Sequence, residues 1–200
     1  GPEKPESYIG KIVSLLYTRY NSGEKPIAMV SMDNCSSNGS IFHKAVLELS
    51  NRWLEGNFIN KGFIDYINNT DKVSFPWTMI DKITPRPSSS IESLLKKDGF
   101  EEIEPIVTKK NTFIAPFVNA EECEYLVIED TFPNGRPPLE KAGVLFTTRD
   151  NVEKVEKMKV CTCLNPLHTA LAIFGCILNY DSIAKEIENK KLRKLVESIG

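Results

Sequence analysis

The amino-acid sequence predicts an α/β protein: part of a doubly wound parallel sheet, then short strands, then the first helices of a mainly helical region. Three observations carry this. Apolar positions recur at three and four residues over 6–20 and again over 40–55, and a continuous apolar run, 27–31, lies between them. Residues 103–148 then change to short β-like runs, and helical spacing returns near 150. Helix, buried strand and helix in succession argue for a doubly wound sheet.

Taken in order, Ile9, Ile12, Val13, Leu16 and Tyr20 mark the first helix, ended by Gly23. Ile27 to Ser31 follows Pro26 and stops at Asp33-Asn34, as a buried parallel strand does, and the carboxyl ends of such strands are where open α/β sheets place ligands. Asn38-Gly39 turns the chain into a second helix with Phe42, Val46, Leu49 and Trp53 inward, and 57–69 holds another short helix. Two prolines, Pro76 and Pro85, bound the stretch from Thr78 to Thr84 and restrict the residues before them. Residues 86–90 form a proline and serine hinge before a short helix at 91–97. Short runs at 106–108, 112–118, 125–129 and 143–148 are separated by Asn119, Asn134-Gly135 and Pro137-Pro138, with a turn at 140–142. Asp150 or Asn151 is the expected N-cap of a long helical region reaching about Leu178, and a last helix is expected from Asp181 or Ser182 to Gly200.

The balance of 41% hydrophobic and 26% charged residues with a net charge of -2 is that of an ordinary globular chain. Lysines and acids alternate, so no basic block marks a nucleic-acid partner. No apolar run is expected to reach the about 20 residues that span a bilayer, and no leader is evident, so no membrane partner and a cytoplasmic location are expected. Five cysteines, at 35, 123, 161, 163 and 176, make a poor disulfide framework and are expected to be reduced, with Cys161 and Cys163 read as small buried side chains on a helix. Cys161, Cys163 and His168 have no second ligand pair, so no metal is expected. Gly1-Pro2 resembles a cleaved-tag remnant, which leaves 3–150 as the α/β part with its short-strand extension and 151–200 as the start of the helical domain.

The most informative segment is Lys159-Val160-Cys161-Thr162-Cys163-Leu164-Asn165-Pro166-Leu167-His168. Asn165 and His168, three apart on a helix, share a face and can reach one hydroxyl-bearing carbon; an Asn capping the turn before Pro166 and a half-buried His is the plainer reading. This segment is similar to the lysine, asparagine and histidine signature of the long-chain polyol-specific dehydrogenases and reductases, the family of mannitol dehydrogenase, fructuronate reductase and tagaturonate reductase. Three further stretches match that family in order. They are 31–34 with Asn38-Gly39, Phe75-Pro76 with Thr78 to Pro85, and Ile128-Glu129-Asp130 with Phe132, Gly135-Arg136-Pro137 and Ala142-Gly143-Val144.

The resemblance implies a Rossmann-like fold and metal-independent hydride transfer between NAD or NADP and a secondary alcohol or ketone of a polyol or sugar acid. It implies Lys159 as general acid/base, which a lysine can serve only where burial or a neighbouring cation favours its neutral form. Asn165 and Asn34 would donate to the developing alkoxide. His168 and Asp81 would position substrate hydroxyls, a surface ion pair with Lys82 being the plainer role for Asp81. None of the eleven glycines forms the Gly-rich dinucleotide turn, so the cofactor-binding residues are unknown and the chain is expected to be a piece truncated at both ends and inactive alone. The alternative is a non-catalytic carbohydrate-binding or interaction module on the same scaffold. The substrate, the choice between NAD and NADP and the oligomeric state are open from sequence.

Two departures bear on the site. The family places its lysine five residues before the asparagine, whereas Lys159 precedes Asn165 by six. At about 100° per residue, the nine steps from Lys159 to His168 put them on opposite faces of a regular α-helix, where the usual eight leave them about 80° apart. A π-bulge or break is therefore expected between Lys159 and Asn165, with Lys157 as the substitute candidate. Ala115 stands before Pro116-Phe117 where the family commonly has an acid.

Overall fold

The computed structural model describes residues 1–80, 82, 84–120 and 125–199. Asp81 and Cys123, both singled out above, and the far end of the last helix at Gly200 lie outside the described residues. The chain divides into two compact units, 1–79 with 127–200, and 80–126. The junction expected near residue 150 lies within the first.

The first unit opens with helix α1 (Tyr8–Asn21), capped by the Ser7 hydroxyl, which accepts the Gly10 N–H at 3.0 Å. Strand β1 (Ile27–Ala28) pairs in parallel with β2 (Val73–Ser74), Ile27 opposite Val73, and the crossover between them carries α2 (Asn38–Glu55) and α3 (Lys61–Asn68). This βαβ unit is the expected doubly wound element, but β1 is shorter than 27–31 and only half-buried. Its ladder ends with the Met29 N–H on the Ser74 carbonyl at 2.8 Å, and beyond that the chain leaves the sheet as a loop held by side chains. Val13, Leu16, Val46, Trp53, Phe63, Tyr66, Ile67 and Val73 form one buried core between the three helices and the strands. At the side chains' ~25 cal/mol per Å² of apolar burial, this cluster is the main source of the unit's stability.

A second sheet has the order β3 (Thr78–Ile80), β6 (Leu126–Glu129), β7 (Leu145–Thr147). β6 and β7 run parallel, with Glu129 opposite Thr147, and a 3₁₀ turn at Leu139–Ala142 lies between them. The family-like stretch around Arg136 is explained here: its guanidinium bonds Asp130 at 2.8 and 3.0 Å and Glu140 at 2.6 Å, and lies 3.4 Å from the Phe146 ring centroid. The other unit contains α4 (Ser89–Lys97) and an antiparallel hairpin of β4 (Ile106–Val107) and β5 (Phe113–Ile114).

After β7 the chain enters a 29-residue helical run, Arg149–Ile177. It comprises α5 (Arg149–Glu156), a π-helix (Lys157–Leu164) and α6 (Asn165–Ile177). The helix begins at Arg149 on a Thr148 N-cap, not at Asp150 or Asn151; the Asn151 amide instead donates to the Thr147 hydroxyl at 2.9 Å. The single last helix expected is two, α7 (Ile183–Glu186) and α8 (Lys190–Ile199). Asn189 makes the break, its side-chain oxygen accepting the Lys191 N–H at 2.9 Å and so starting a fresh helix.

Two composition-based expectations are corrected. Residues 160–180 hold no charged side chain, and Arg149–Ile177 is long and apolar enough to cross a membrane by length and composition alone. Asn165, Pro166 and His168 interrupt the run by eye without adding charge. Cys161 and Cys163 are exposed, not buried, because they fall on a helix face that the core does not cover; Cys35 and Cys176 are exposed as well.

Candidate active site

The loop that leaves β1 is held by one buried side chain. Asn38, 2% exposed, donates its amide to the Asp33 carbonyl at 2.6 Å and the Thr78 hydroxyl at 2.8 Å, and accepts the Gly39 and Thr78 N–H groups at 2.8 and 3.0 Å. The Thr78 hydroxyl closes the set on the Ser31 carbonyl at 2.7 Å. Gly39 permits this approach, since a Cβ there would collide with the carbonyls of Phe75 and Pro76. Asn34 is exposed at the crest of the loop. The Asp33 carboxylate accepts the Cys35 N–H at 2.8 Å, which holds it below the usual aspartate range. Partial burial pushes the Cys35 thiol up, helped by its hydrogen bond with Asp33 and, more weakly, by the Glu156 carboxylate at the end of α5.

Lys159 lies half-buried inside the π-helix, Asn165 is exposed at the first residue of α6, and His168 is exposed one turn later. The break expected between Lys159 and Asn165 is thus present as a whole π-helical segment. Its bonds have the wide spacing: the Asn165 N–H reaches the Val160 carbonyl, five residues back. The Thr162 hydroxyl donates to the carbonyls of Lys157 at 2.9 Å and Met158 at 2.7 Å. Pro166 supplies a physical cause, because it has no N–H and its ring would strike the carbonyl of Thr162 in a regular helix. A π turn advances each residue by roughly 80°. Six such steps to Asn165 and three α steps to His168 leave Lys159 and His168 about 60° apart, close to the about 80° that eight α steps give.

The structure therefore gathers Lys159, Asn165 and His168 on one helix and leaves Asn34 on the separate loop after β1, while Asp81 lies outside the described residues. The roles of four residues of this region escaped the sequence reading: Asn38, Thr78, Glu129 and Arg149. Asn38, Thr78 and Glu129 stood within the family-like stretches with no role attached, and the Asn-Gly step of Asn38 read as a turn. A cleft of about 470 Å³ in the first unit is lined by His43, Ser74, Phe75, Thr131, Phe132 and Arg149, and Asn34, Lys159, Asn165 and His168 do not border it. Among the described residues no group of three or more His, Cys, Asp or Glu is placed to hold a metal.

A parallel βαβ unit with a polar loop at its strand's carboxyl end, followed by a helix bearing Lys, Asn and His, defines a Rossmann-type α/β protein with a candidate substrate side. The mannitol dehydrogenase Rossmann domain matches residues 1–141, and the chain belongs to that family. It is 53% identical over its whole length to the D-mannonate oxidoreductase of Thermotoga maritima, covering 37% of that protein. It is 34% identical to the polyol:NADP oxidoreductase of Gluconobacter oxydans, with 98% of this chain and 36% of that one aligned. The fold matches a substrate-free D-sorbitol dehydrogenase with a TM-score of 0.79 and 28% identity over 99% of this chain and 36% of that one. It also matches the ternary complex of Pseudomonas fluorescens mannitol 2-dehydrogenase with NAD and D-mannitol, with a TM-score of 0.69 and 29% identity over 98% of this chain and 36% of that one. The chain thus spans little more than a third of the length of these relatives.

Proposed function

We propose that the full-length protein is a nicotinamide-dependent oxidoreductase of the mannonate/fructuronate type, and that these residues form its substrate side. The observation that carries this is the 53% identity to a D-mannonate oxidoreductase across the entire chain, π-helical segment included. The polar loop at the carboxyl end of β1 suits the nicotinamide end of NAD or NADP, since it offers amides and no charge barrier beyond Asp33. When bound, the nicotinamide supplies or accepts the hydride.

In this reading the Lys159 amine takes the hydroxyl proton as a secondary alcohol is oxidised and returns it to the oxygen on reduction. The Asn34 and Asn165 amides donate to that oxygen as negative charge develops, with no metal involved. His168 and Asp81 hold neighbouring hydroxyls and so fix which carbon faces the cofactor. The test is a screen of the full-length protein with fructuronate, tagaturonate, fructose and fructose 6-phosphate, each with NADH and NADPH. Fructuronate is expected to be reduced fastest, and Lys159→Ala to lower kcat by roughly 10²- to 10⁴-fold. Turnover of none of the four overturns the reading.

A further inference from the structure

The helix that carries Lys159, Asn165 and His168 begins at Arg149, and Arg149 is tied down by a carboxylate that is almost wholly buried. Glu129, 5% exposed, sits at the end of β6. Both its oxygens lie 3.1 Å from the Arg149 Nε, and Oε2 also accepts the Trp77 N–H at 3.0 Å. The Glu129 N–H returns a bond to the Trp77 carbonyl at 2.8 Å. The Arg149 guanidinium lies 5.2 Å from the Trp77 ring centroid, and the Trp77 indole N–H reaches the Ser40 hydroxyl in α2 at 2.9 Å. The next residue, Thr78, is the one Asn38 grips together with the Asp33 carbonyl. One bonded series therefore runs from the Asn34 loop through Asn38, Thr78, Trp77 and Glu129 to Arg149.

Burying the Glu129 carboxylate costs its water while Arg149 stays half-exposed, so the pair is a poor way to gain stability; its directional bonds are better suited to fixing one arrangement. We propose that Glu129 and Arg149 are positioning residues for hydride transfer, setting the helix that bears Lys159 against the loop that bears Asn34. The inference rests on the function proposed above. Lys159 lies ten residues beyond Arg149, roughly 15 Å along the axis at 1.5 Å per residue. About 4° of tilt at Arg149 then moves the amine about 1 Å, a displacement that can cost on the order of 10²-fold in rate. Lysine in place of Arg149 keeps the charge but loses the flat group that lies on Trp77.

The experiment compares Glu129→Gln, Arg149→Met, Arg149→Lys and Lys159→Ala in the full-length protein. Steady-state kinetics, the primary isotope effect with deuterated reduced nicotinamide, and Tm are measured for each. Glu129→Gln and Arg149→Met are expected to lower kcat about 10- to 100-fold. The KM for nicotinamide stays within about twofold, the isotope effect rises as hydride transfer becomes the slow step, and Arg149→Lys recovers part of the rate. Arg149 is half-exposed, so its methionine variant decides the matter if Glu129→Gln does not fold. Wild-type kcat and isotope effect in folded Arg149→Met overturn the proposal while an inactive Lys159→Ala leaves the proposed function standing. A fully active Lys159→Ala overturns both.

Discussion

Helices α1 to α3 and helices α5 to α8 are both amphipathic, yet they use their apolar residues differently. In the first group Val13, Val46 and Phe63 are each 0% exposed and face one shared core. In the second, Phe174, Ile177 and Leu178 are 43%, 68% and 52% exposed, and α6 buries only Leu171 and Gly175. The first region is a platform that holds itself together. The second packs α6 against α7 and α8, buries Val152 near its start and is tied back through Glu129 and Arg149, so a few apolar contacts and polar bonds together set its placement. The residues proposed for chemistry lie mostly on the second region, and the loop that bears Asn34 belongs to the first.

The strongest way to break this contrast is to truncate one ring in each region of the 200-residue chain. Phe63→Ala is expected to cost about 3–5 kcal/mol, as buried Phe truncations do, because the cavity it leaves is walled by Tyr17, Tyr20 and Tyr66. Phe174→Ala should change stability by no more than about 0.5 kcal/mol. Urea titrations followed by circular dichroism read both, and equal losses would mean the exposed face of α6 is as well packed as the core.

The second test acts on the π-helix. Inserting one alanine between Val160 and Cys161 gives the segment a residue it has no wider turn to absorb, and kcat of the full-length protein should fall about 10²-fold, near 2.7 kcal/mol of barrier. Deleting Cys161 restores a spacing of five between Lys159 and Asn165, which a regular α-helix accommodates. That variant should stay within about tenfold of the parent, or about 1.4 kcal/mol. Equal damage from both changes would show that the wide turn itself, and not the register it restores, is required.

This comparison also explains what was legible beforehand. The helices around the core announced themselves because Val13, Leu16, Val46 and Trp53 repeat with the helical period, and the extra residue before Asn165 was enough to predict a register break. Asn38 was read as a turn because its value lies in four partners up to 40 residues away, which no local pattern encodes. Glu129 and Arg149 were missed for the same reason, since their pairing joins positions 20 residues apart. Cys161 and Cys163 were misjudged because burial was inferred from residue type on a helix, and residue type does not say which face of that helix the core covers.

Asn38→Ala measures that long-range bonding directly. It orphans the Thr78 N–H in a buried place and frees the loop bearing Asn34, so a loss of about 2 kcal/mol is expected by denaturant titration. Asn38→Asp keeps the acceptor for the Thr78 and Gly39 N–H groups and loses the donor to the Asp33 carbonyl and the Thr78 hydroxyl. It should therefore fall between alanine and wild type if the acceptor side dominates, and match alanine if the loop contact does.

The smallest effect is expected at Asp130, where the polar ties reach the surface. Its carboxyl is held below the ordinary aspartate value chiefly by the hydrogen bonds from Arg136, opposed in part by desolvation. The Asp130 side chain is 46% exposed, so solvent screens the pair and Asp130→Asn should cost no more than about 1 kcal/mol at neutral pH. Because the folded-state value is depressed, the contribution is present above the unfolded value of about 4 and disappears as pH falls through the lower native one. Stability curves of wild type and Asp130→Asn should then run parallel from pH 5 to 8 and converge in acid below the unfolded value. A gap that widens toward acid would mean that Arg136 is held by Glu140 and the Phe146 ring, with Asp130 a bystander to the tie.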